Sequence, residues 1–357
     1  MTIAPAMHAW ASTGAGLPLE CIECPAPAQP QGAGVVVEVT HCGVCHSDVH
    51  FWEGFIDAGD RKIPIEALGI ARPLILGHEI VGRVVAAGPE ATTVKPGDIR
   101  LVYPWIGCGD CADCAAGDDH LCTAPRSLGI RRSGGFGSHV EVPHERYLLD
   151  FGNLDPALAA TYACSGLTVF SAIRKIMPQP RDAPVVLIGA GGLGLNAIAV
   201  LRALGHRNIV SLDPSAGSRA AAESLGARAL DSGREDIGER LAEAAGGPVK
   251  AIIDLVNNSD TAALAVRSLA RGGKLVMVGM FGGTLTIPLA PFPASALTIM
   301  GNFVGSLGDL HALIALAQTG EIPAIPITRR PRGDANAALE AVRNGEMRGR
   351  IVLDASL

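Results

Sequence analysis

Aromatic side chains are scarce: three Trp, three Tyr and eight Phe amount to 4% of the 357 residues, so any that fall beside a chemical motif stand out. No Lys/Arg run exists that could track a phosphate backbone, and 29 basic against 35 acidic residues leave a formal charge of −6. Nucleic acid is therefore not an expected partner. No apolar stretch is expected to span a bilayer, and the N-terminal segment, Met1 to Trp10, has neither the basic start nor the apolar run of a secretion signal. The expectation is a cytoplasmic protein with no membrane partner. That compartment keeps thiols reduced, so the nine Cys read as metal ligands or core residues rather than disulfides. With 48% hydrophobic residues, 44 Gly and 24 Pro, the chain is globular and turn-rich, and its length suits two domains.

What is present is concentrated. Residues 42–50, C-G-V-C-H-S-D-V-H, bring soft metal ligands, proton carriers and an acid into one short stretch. Cys45 and His46 offer ligands or donors, Ser47 and His50 can pass a proton, and Asp48 can orient an imidazole through its second nitrogen. One short segment cannot close a zinc site. Further candidates are His78 with Glu79 in L-G-H-E-I-V-G and Cys164 in A-C-S-G-L-T-V. Cys45, His78 and Cys164 make a set of two thiolates and one imidazole, which leaves a fourth tetrahedral position for water or substrate.

Cys108, Cys111, Cys114 and Cys122 lie within residues 107–122 in the pattern C-x-x-C-x-x-C followed by a longer step to the last Cys. Four thiolates complete a tetrahedral shell with no open position, the arrangement of a structural zinc, although an iron–sulfur cluster is chemically possible too. A nucleic-acid-binding zinc ribbon is the alternative from another class. Asp110, Asp113, Asp118 and Asp119 surround the cluster and would repel phosphate.

Residues 34–40, 80–88 and 99–103 read as strands of a Gly-punctuated β domain, with a turn at 95–98. Beyond the Ala-rich, helical-looking segment around Cys164 the pattern changes to alternating strand and helix. V-V-L-I-G-A-G-G-L-G places Gly189, Gly191 and Gly194 in G-x-G-x-x-G register between a strand and a helix, and Asp213 ends the next strand, at the distance expected of a ribose-binding acid. Strands near 251, 274 and 299 extend a parallel sheet covered by helices. A helix at 308–319, a Pro-rich crossing at 322–331, a helix ending near Gly345 and a strand at 349–353 return to the first domain.

On G-H-E, the four-Cys lobe, G-A-G-G-L-G and C-G-V-C-H-S-D-V-H, the chain resembles the zinc-dependent alcohol dehydrogenases of the medium-chain dehydrogenase/reductase superfamily over nearly its full length. The resemblance implies an α/β protein with a β-rich GroES-like catalytic domain at 1–165, a Rossmann doubly wound domain at 166–304, and a return to the catalytic domain at 305–357. It implies catalytic zinc on Cys45, His78 and Cys164 with Glu79 behind the metal, structural zinc on Cys108, Cys111, Cys114 and Cys122, and NAD as cofactor. Asp48 then fixes His78, Ser47 takes the substrate proton, and His50 passes it to solvent. His46, Gly189, Gly191, Gly192, Leu193, Gly194, Asp213, Val278 and Arg350 hold the cofactor, and Phe51, Trp52 and Trp105 wall the substrate pocket. An alcohol or carbonyl compound is the implied substrate and a homo-oligomer, dimer or tetramer, the implied assembly.

Asp213 suits the 2′-hydroxyl of NAD and would repel a 2′-phosphate, with nearby Arg219 as the counter-indication. Cys42 reads as core, and Cys21 and Cys24 as packing residues without a function, pointing to opposite sides of an extended segment. The segment 51–77, between His50 and His78, is a long connection anchored beside the relay and at a zinc ligand. Its aromatic start, Phe51, Trp52 and Phe55, suggests a specificity element; a surface excursion or subunit contact competes. Other readings of the whole chain are a polyol or other specialised dehydrogenase, or a zinc-stabilised nucleotide-binding regulator without turnover.

Overall fold

The computed structural model describes residues 5–357. Its centre is the strand Val35–Val44, whose residues Val35, Val37, Val39 and Val44 are at most 1% exposed. Each such burial is worth about 1.5–3 kcal/mol, so this strand is fixed in register by its own β-branched side chains. It pairs antiparallel with Glu79–Ala87, with His139–Val142 and with the C-terminal strand Arg350–Asp354. The sheet runs on through Ile99–Val102 and Leu148–Leu149 on one side and Ile327–Pro331 on the other. Chain start and chain end thus share one β-rich, GroES-like unit.

The second unit is a six-stranded parallel sheet in the order Arg228–Leu230, Ile209–Leu212, Val185–Ile188, Ala251–Asp254, Lys274–Met277, Thr298–Gly301. Sequence order reverses at Val185–Ile188. An open parallel sheet binds ligands outside the strand C-termini at such a reversal, and the Gly189–Gly194 turn leaves this strand at that point.

Three details differ from the sequence expectation. The Pro-rich crossing contains the strand Ile327–Pro331, parallel to Arg350–Asp354; T-R-R-P hides it because it is an outer strand with no buried face to enforce alternation. The short strand Arg228–Leu230 and the helix Ile237–Ala245 are additional to the elements expected. One continuous helical stretch, Pro156–Ile176, is long and apolar enough to cross a bilayer, contrary to the expectation that none is; 89% of its 18-residue apolar window is buried inside the protein, so it is a core helix.

Candidate active site and its two metal clusters

Cys45 leaves the buried strand Val35–Val44 and caps the helix His46–Glu53. The cap is reciprocal: the Asp48 carboxylate accepts the Cys45 N–H at 2.8 Å through Oδ2. Its Oδ1 accepts the Gly77 N–H at 3.1 Å and lies 3.2 Å from His78 Nδ1. One fully buried carboxylate thereby fixes the positions of Cys45 and His78, which belong to different elements of the chain. With Nδ1 turned to Asp48, His78 presents Nε2 to the site, where Ser47 Oγ stands at 3.4 Å. Cys164 arrives on a wide helical turn, Tyr162–Gly166, inserted between the α-helices Pro156–Thr161 and Leu167–Ile176. Such insertions re-aim a side chain within an otherwise regular helix.

The ligand atoms of Cys45, His78 and Cys164 all lie within 4.8 Å of one another, and the two sulfurs are 3.9 Å apart. A tetrahedral zinc with sulfur at about 2.3 Å separates two sulfurs by about 3.8 Å, so the set fits the ion. The two sulfurs stand within reach of one S–H···S hydrogen bond. The Cys164 hydrogen bond holds Cys45 well below the ordinary thiol range, while the same bond and burial push Cys164 well above it. Zinc requires both as thiolates and would expel that proton.

Glu79, fully buried, lies just behind the set. Its Oε1 accepts the Ser165 N–H at 3.1 Å and pairs with Arg350 Nη2 at 2.5 Å. Burial raises its carboxyl, and Arg350 opposes the rise. The carboxylate packs on Gly43, where a Cβ would stand 1.9 Å from Oε2; the glycine in C-G-V-C is there to admit it. Arg350 is 3% exposed and its stem lies on Gly192, so the guanidinium sits between Glu79 and the Gly-rich turn.

In that turn a Cβ on Gly194 would meet Gly189 O at 2.1 Å, whereas one on Gly191 would meet nothing within 4 Å. Tight strand–helix packing at one glycine and open space at the other is the shape a pyrophosphate needs. Leu193 packs partly against the core. Asp213 accepts the Ala190 N–H and the Ser215 N–H, each at 2.8 Å. Arg219 donates to the Asp213 and Pro214 carbonyls and lies 3.5 Å from Asp231, so it is already engaged. The Val278 N–H is held by the Asp254 carbonyl at 2.8 Å. His46 and His50 stack edge to face with centroids 5.1 Å apart. Burial lowers both imidazoles below their ordinary value, and for His50 the neighbouring His46 adds to it.

Trp105 lies over His78 at 5.2 Å between ring centroids and donates to the Ala163 carbonyl, so it stands at the metal set. Trp52, expected to wall the pocket, is instead taken up elsewhere: Nε1 donates to the Leu17 carbonyl at 2.6 Å and Arg343 covers its ring. Phe51 is buried, and the Phe55 ring is covered by Lys62 at 3.9 Å. Sequence reasoning missed Phe303, 51% exposed, whose ring meets Trp105 at 5.7 Å. The backbone just after it is held by Tyr103, which donates to the Gly305 carbonyl, and by Asn302, which donates to the Val304 and Thr168 carbonyls, while Val304 adopts φ 39°. A β-branched residue there is strained and persists only when neighbours enforce it. An aromatic just past a strand end, in a chain with so few, was the available signal.

The four-Cys cluster is also assembled, with sulfur separations of 3.5, 3.7 and 4.0 Å. Cys122 accepts the Cys108 and Ala124 N–H groups at 3.2 and 3.3 Å, an environment suited to thiolate. Asp119, nearly fully buried, accepts from Tyr147 at 2.6 Å and Arg146 at 3.0 Å and anchors the lobe to the sheet. Of the four acids read as a repelling surface, this one points inward. Cys42 is core, and Cys21 and Cys24 belong to the strand Glu20–Pro25.

Comparison with known proteins agrees with this geometry. Residues 31–151 match the alcohol dehydrogenase GroES-like domain and residues 192–319 the zinc-binding dehydrogenase domain. The chain is 35% identical over 340 residues to an NAD-dependent alcohol dehydrogenase of Sulfurisphaera tokodaii, covering 95% of this chain and 97% of that one. It is 31% identical over 332 residues to a D-arabinose 1-dehydrogenase (NADP(+)) of Saccharolobus solfataricus, covering 91% of each. Among solved structures, the alcohol dehydrogenase of Aeropyrum pernix superposes with a TM-score of 0.88 at 28% identity, over 97% of this chain and 99% of that one. With both thiolate clusters and the dinucleotide-type sheet in place, the chain belongs to the zinc-containing medium-chain alcohol dehydrogenase family.

Proposed function

We propose that this NAD-dependent zinc alcohol dehydrogenase carries hydride between an alcohol carbon and the nicotinamide in the cleft between its two sheets, with the residue roles that follow. Cys45, His78 and Cys164 would hold one zinc, and the four-Cys lobe the other. A zinc held by the first set would supply Lewis acidity toward the substrate oxygen. Asp48 keeps His78 in the tautomer that leaves Nε2 free. Ser47 takes the hydroxyl proton, and His50, a half-buried imidazole held below its ordinary value by desolvation, accepts it further along the same helix face. Glu79 stays behind the ligands, restrained by Arg350 and Ser165. Gly191, Gly192, Gly194, Asp213, Val278, His46 and Arg350 would line the cofactor, with Asp213 favouring NAD. Trp105, joined by Phe303, would exclude water from the hydride path.

The observation that carries this reading is the convergence of Cys45, the Asp48-oriented imidazole of His78 and Cys164, from three separated sequence positions, to within 4.8 Å of one another. We further propose catalytic-domain limits of 1–165 and 305–357 around a Rossmann unit at 166–304, cytoplasmic residence, and a homo-oligomer. The outer strand Thr298–Gly301 pairs on one side only and follows Leu289, which is 81% exposed; both features favour assembly. The test of activity is a panel of primary, secondary, aromatic and polyol alcohols and their carbonyl counterparts, assayed with NAD and NADP before and after metal removal. Turnover with simple alcohols and NAD that zinc restores supports the reading. Turnover confined to polyols would move it to the specialised dehydrogenases.

A further inference from the structure

The long connection after His50 builds a hairpin, Phe55–Asp57 with Lys62–Pro64, and the tip of this hairpin reaches the other unit. A Cβ on Gly59 would stand 2.3 Å from the Gly283 carbonyl, and one on Gly282 would stand 2.5 Å from Asp57 Cγ. Two glycines, one on each side, therefore permit an approach that side chains would forbid. On its far side the turn is pinned by Ser259, whose Oγ accepts the Thr284 N–H at 2.9 Å. The residue just before this clasped turn is Phe281. Its ring lies 4.7 Å from His46 and 6.5 Å from His50 between centroids, although 49% of the residue is exposed. Beside the hairpin tip a cavity of about 320 Å³, lined by Ile56, Asp57, Asn257, Met277 and Met280 among others, lies between the two units.

We propose that Phe281 is a positioning residue for the hydride-transfer site: seated by the hairpin clasp, its ring holds His46 and His50 against the bound cofactor and sets how fast the cofactor leaves. This rests on the reading of His46 and His50 as cofactor-facing residues. Half of the residue is in water, so its packing alone contributes little to the fold, while its position against two imidazoles on the opposite domain controls the cleft between them.

The test uses zinc-loaded enzyme and stopped-flow displacement of NADH. Phe281→Ala should release NADH about three- to tenfold faster, the size of one lost aromatic contact pair, with an unchanged thermal midpoint. Phe281→Tyr should restore the slow rate. Gly59→Val and Asp57→Ala, which disturb only the hairpin tip, should speed release in the same direction, and neither should add to the effect of Phe281→Ala when combined with it. An unchanged release rate in Phe281→Ala overturns the proposal. So do hairpin and Phe281 effects that multiply in full, because the ring would then not depend on the clasp. Loss of NADH affinity in His46→Ala tests the underlying assignment separately.

Discussion

Asp48→Asn tests the centre of the site, because it keeps the shape of the side chain and removes only its charge and one acceptor. Both carboxylate oxygens accept backbone N–H groups, Oδ2 from Cys45 and Oδ1 from Gly77, and Oδ1 also lies at His78 Nδ1. An amide has one oxygen. Whichever way it turns, its NH2 group faces a backbone N–H that has no water to replace the lost acceptor, since Asp48 is fully buried. One stranded donor costs about 1–3 kcal/mol of folding stability. Loss of the partner behind a ligand imidazole lowers metal affinity by about 10- to 100-fold, or roughly 1.4–2.7 kcal/mol. Competition with a graded chelator should therefore strip one zinc from Asp48→Asn far earlier than from the unaltered enzyme, and kcat/KM should fall with it. The four-Cys zinc should leave at its usual chelator concentration. If both zincs leave together, or if the first leaves as in the unaltered enzyme, Asp48 does not organise the catalytic set.

Cys111→Ser should cost one zinc and thermal stability while the remaining folded enzyme keeps turnover, whereas Cys164→Ser should abolish turnover and keep most of the fold; metal content, melting and activity on the same samples decide it, and the reverse pattern sinks the assignment. NAD should be preferred over NADP in kcat/KM, and Asp213→Ala should narrow the gap; equal use of both by the unaltered enzyme would show that Asp213 does not discriminate. Glu145 accepts N–H and O–H bonds from Thr92 and Thr93, led by the Thr92 N–H, and its carboxyl is lowered from 4.5 to about 2. The unfolded chain binds the proton more readily, so this stabilisation is present above pH 4.5 and is lost as pH falls from 4.5 toward 2. Glu145→Gln should flatten that part of the stability–pH curve relative to the unaltered protein, as followed by urea denaturation; parallel curves would refute it.

The sequence by itself determined everything that depends on spacing. Cys108, Cys111, Cys114 and Cys122 are close enough along the chain that any compact lobe brings their sulfurs together, so the cluster could be read before any fold was known. The Gly189–Gly194 turn is likewise local, because its strand, glycines and helix are contiguous, and Asp213 follows one crossover later. The apolar run that centres on Val35–Val39 declared the buried strand that carries Cys45.

Tertiary structure decided what depends on direction. Trp52 and Trp105 are equally bulky and both buried, yet only Trp105 faces His78; Leu17 and Arg343 claim the other, and neither is near Trp52 in sequence. Arg350 could be read as a cation for phosphates, but not as the partner of Glu79, a carboxylate from the opposite end of the chain. The connection after His50 shows its length and composition to a sequence reader, while its destination was set by two glycines that let backbones of different units touch. Pattern records which face of an element is buried, because burial repeats with the helical or strand period. It does not record what lies across from that face, because the partner is chosen by how separate elements pack.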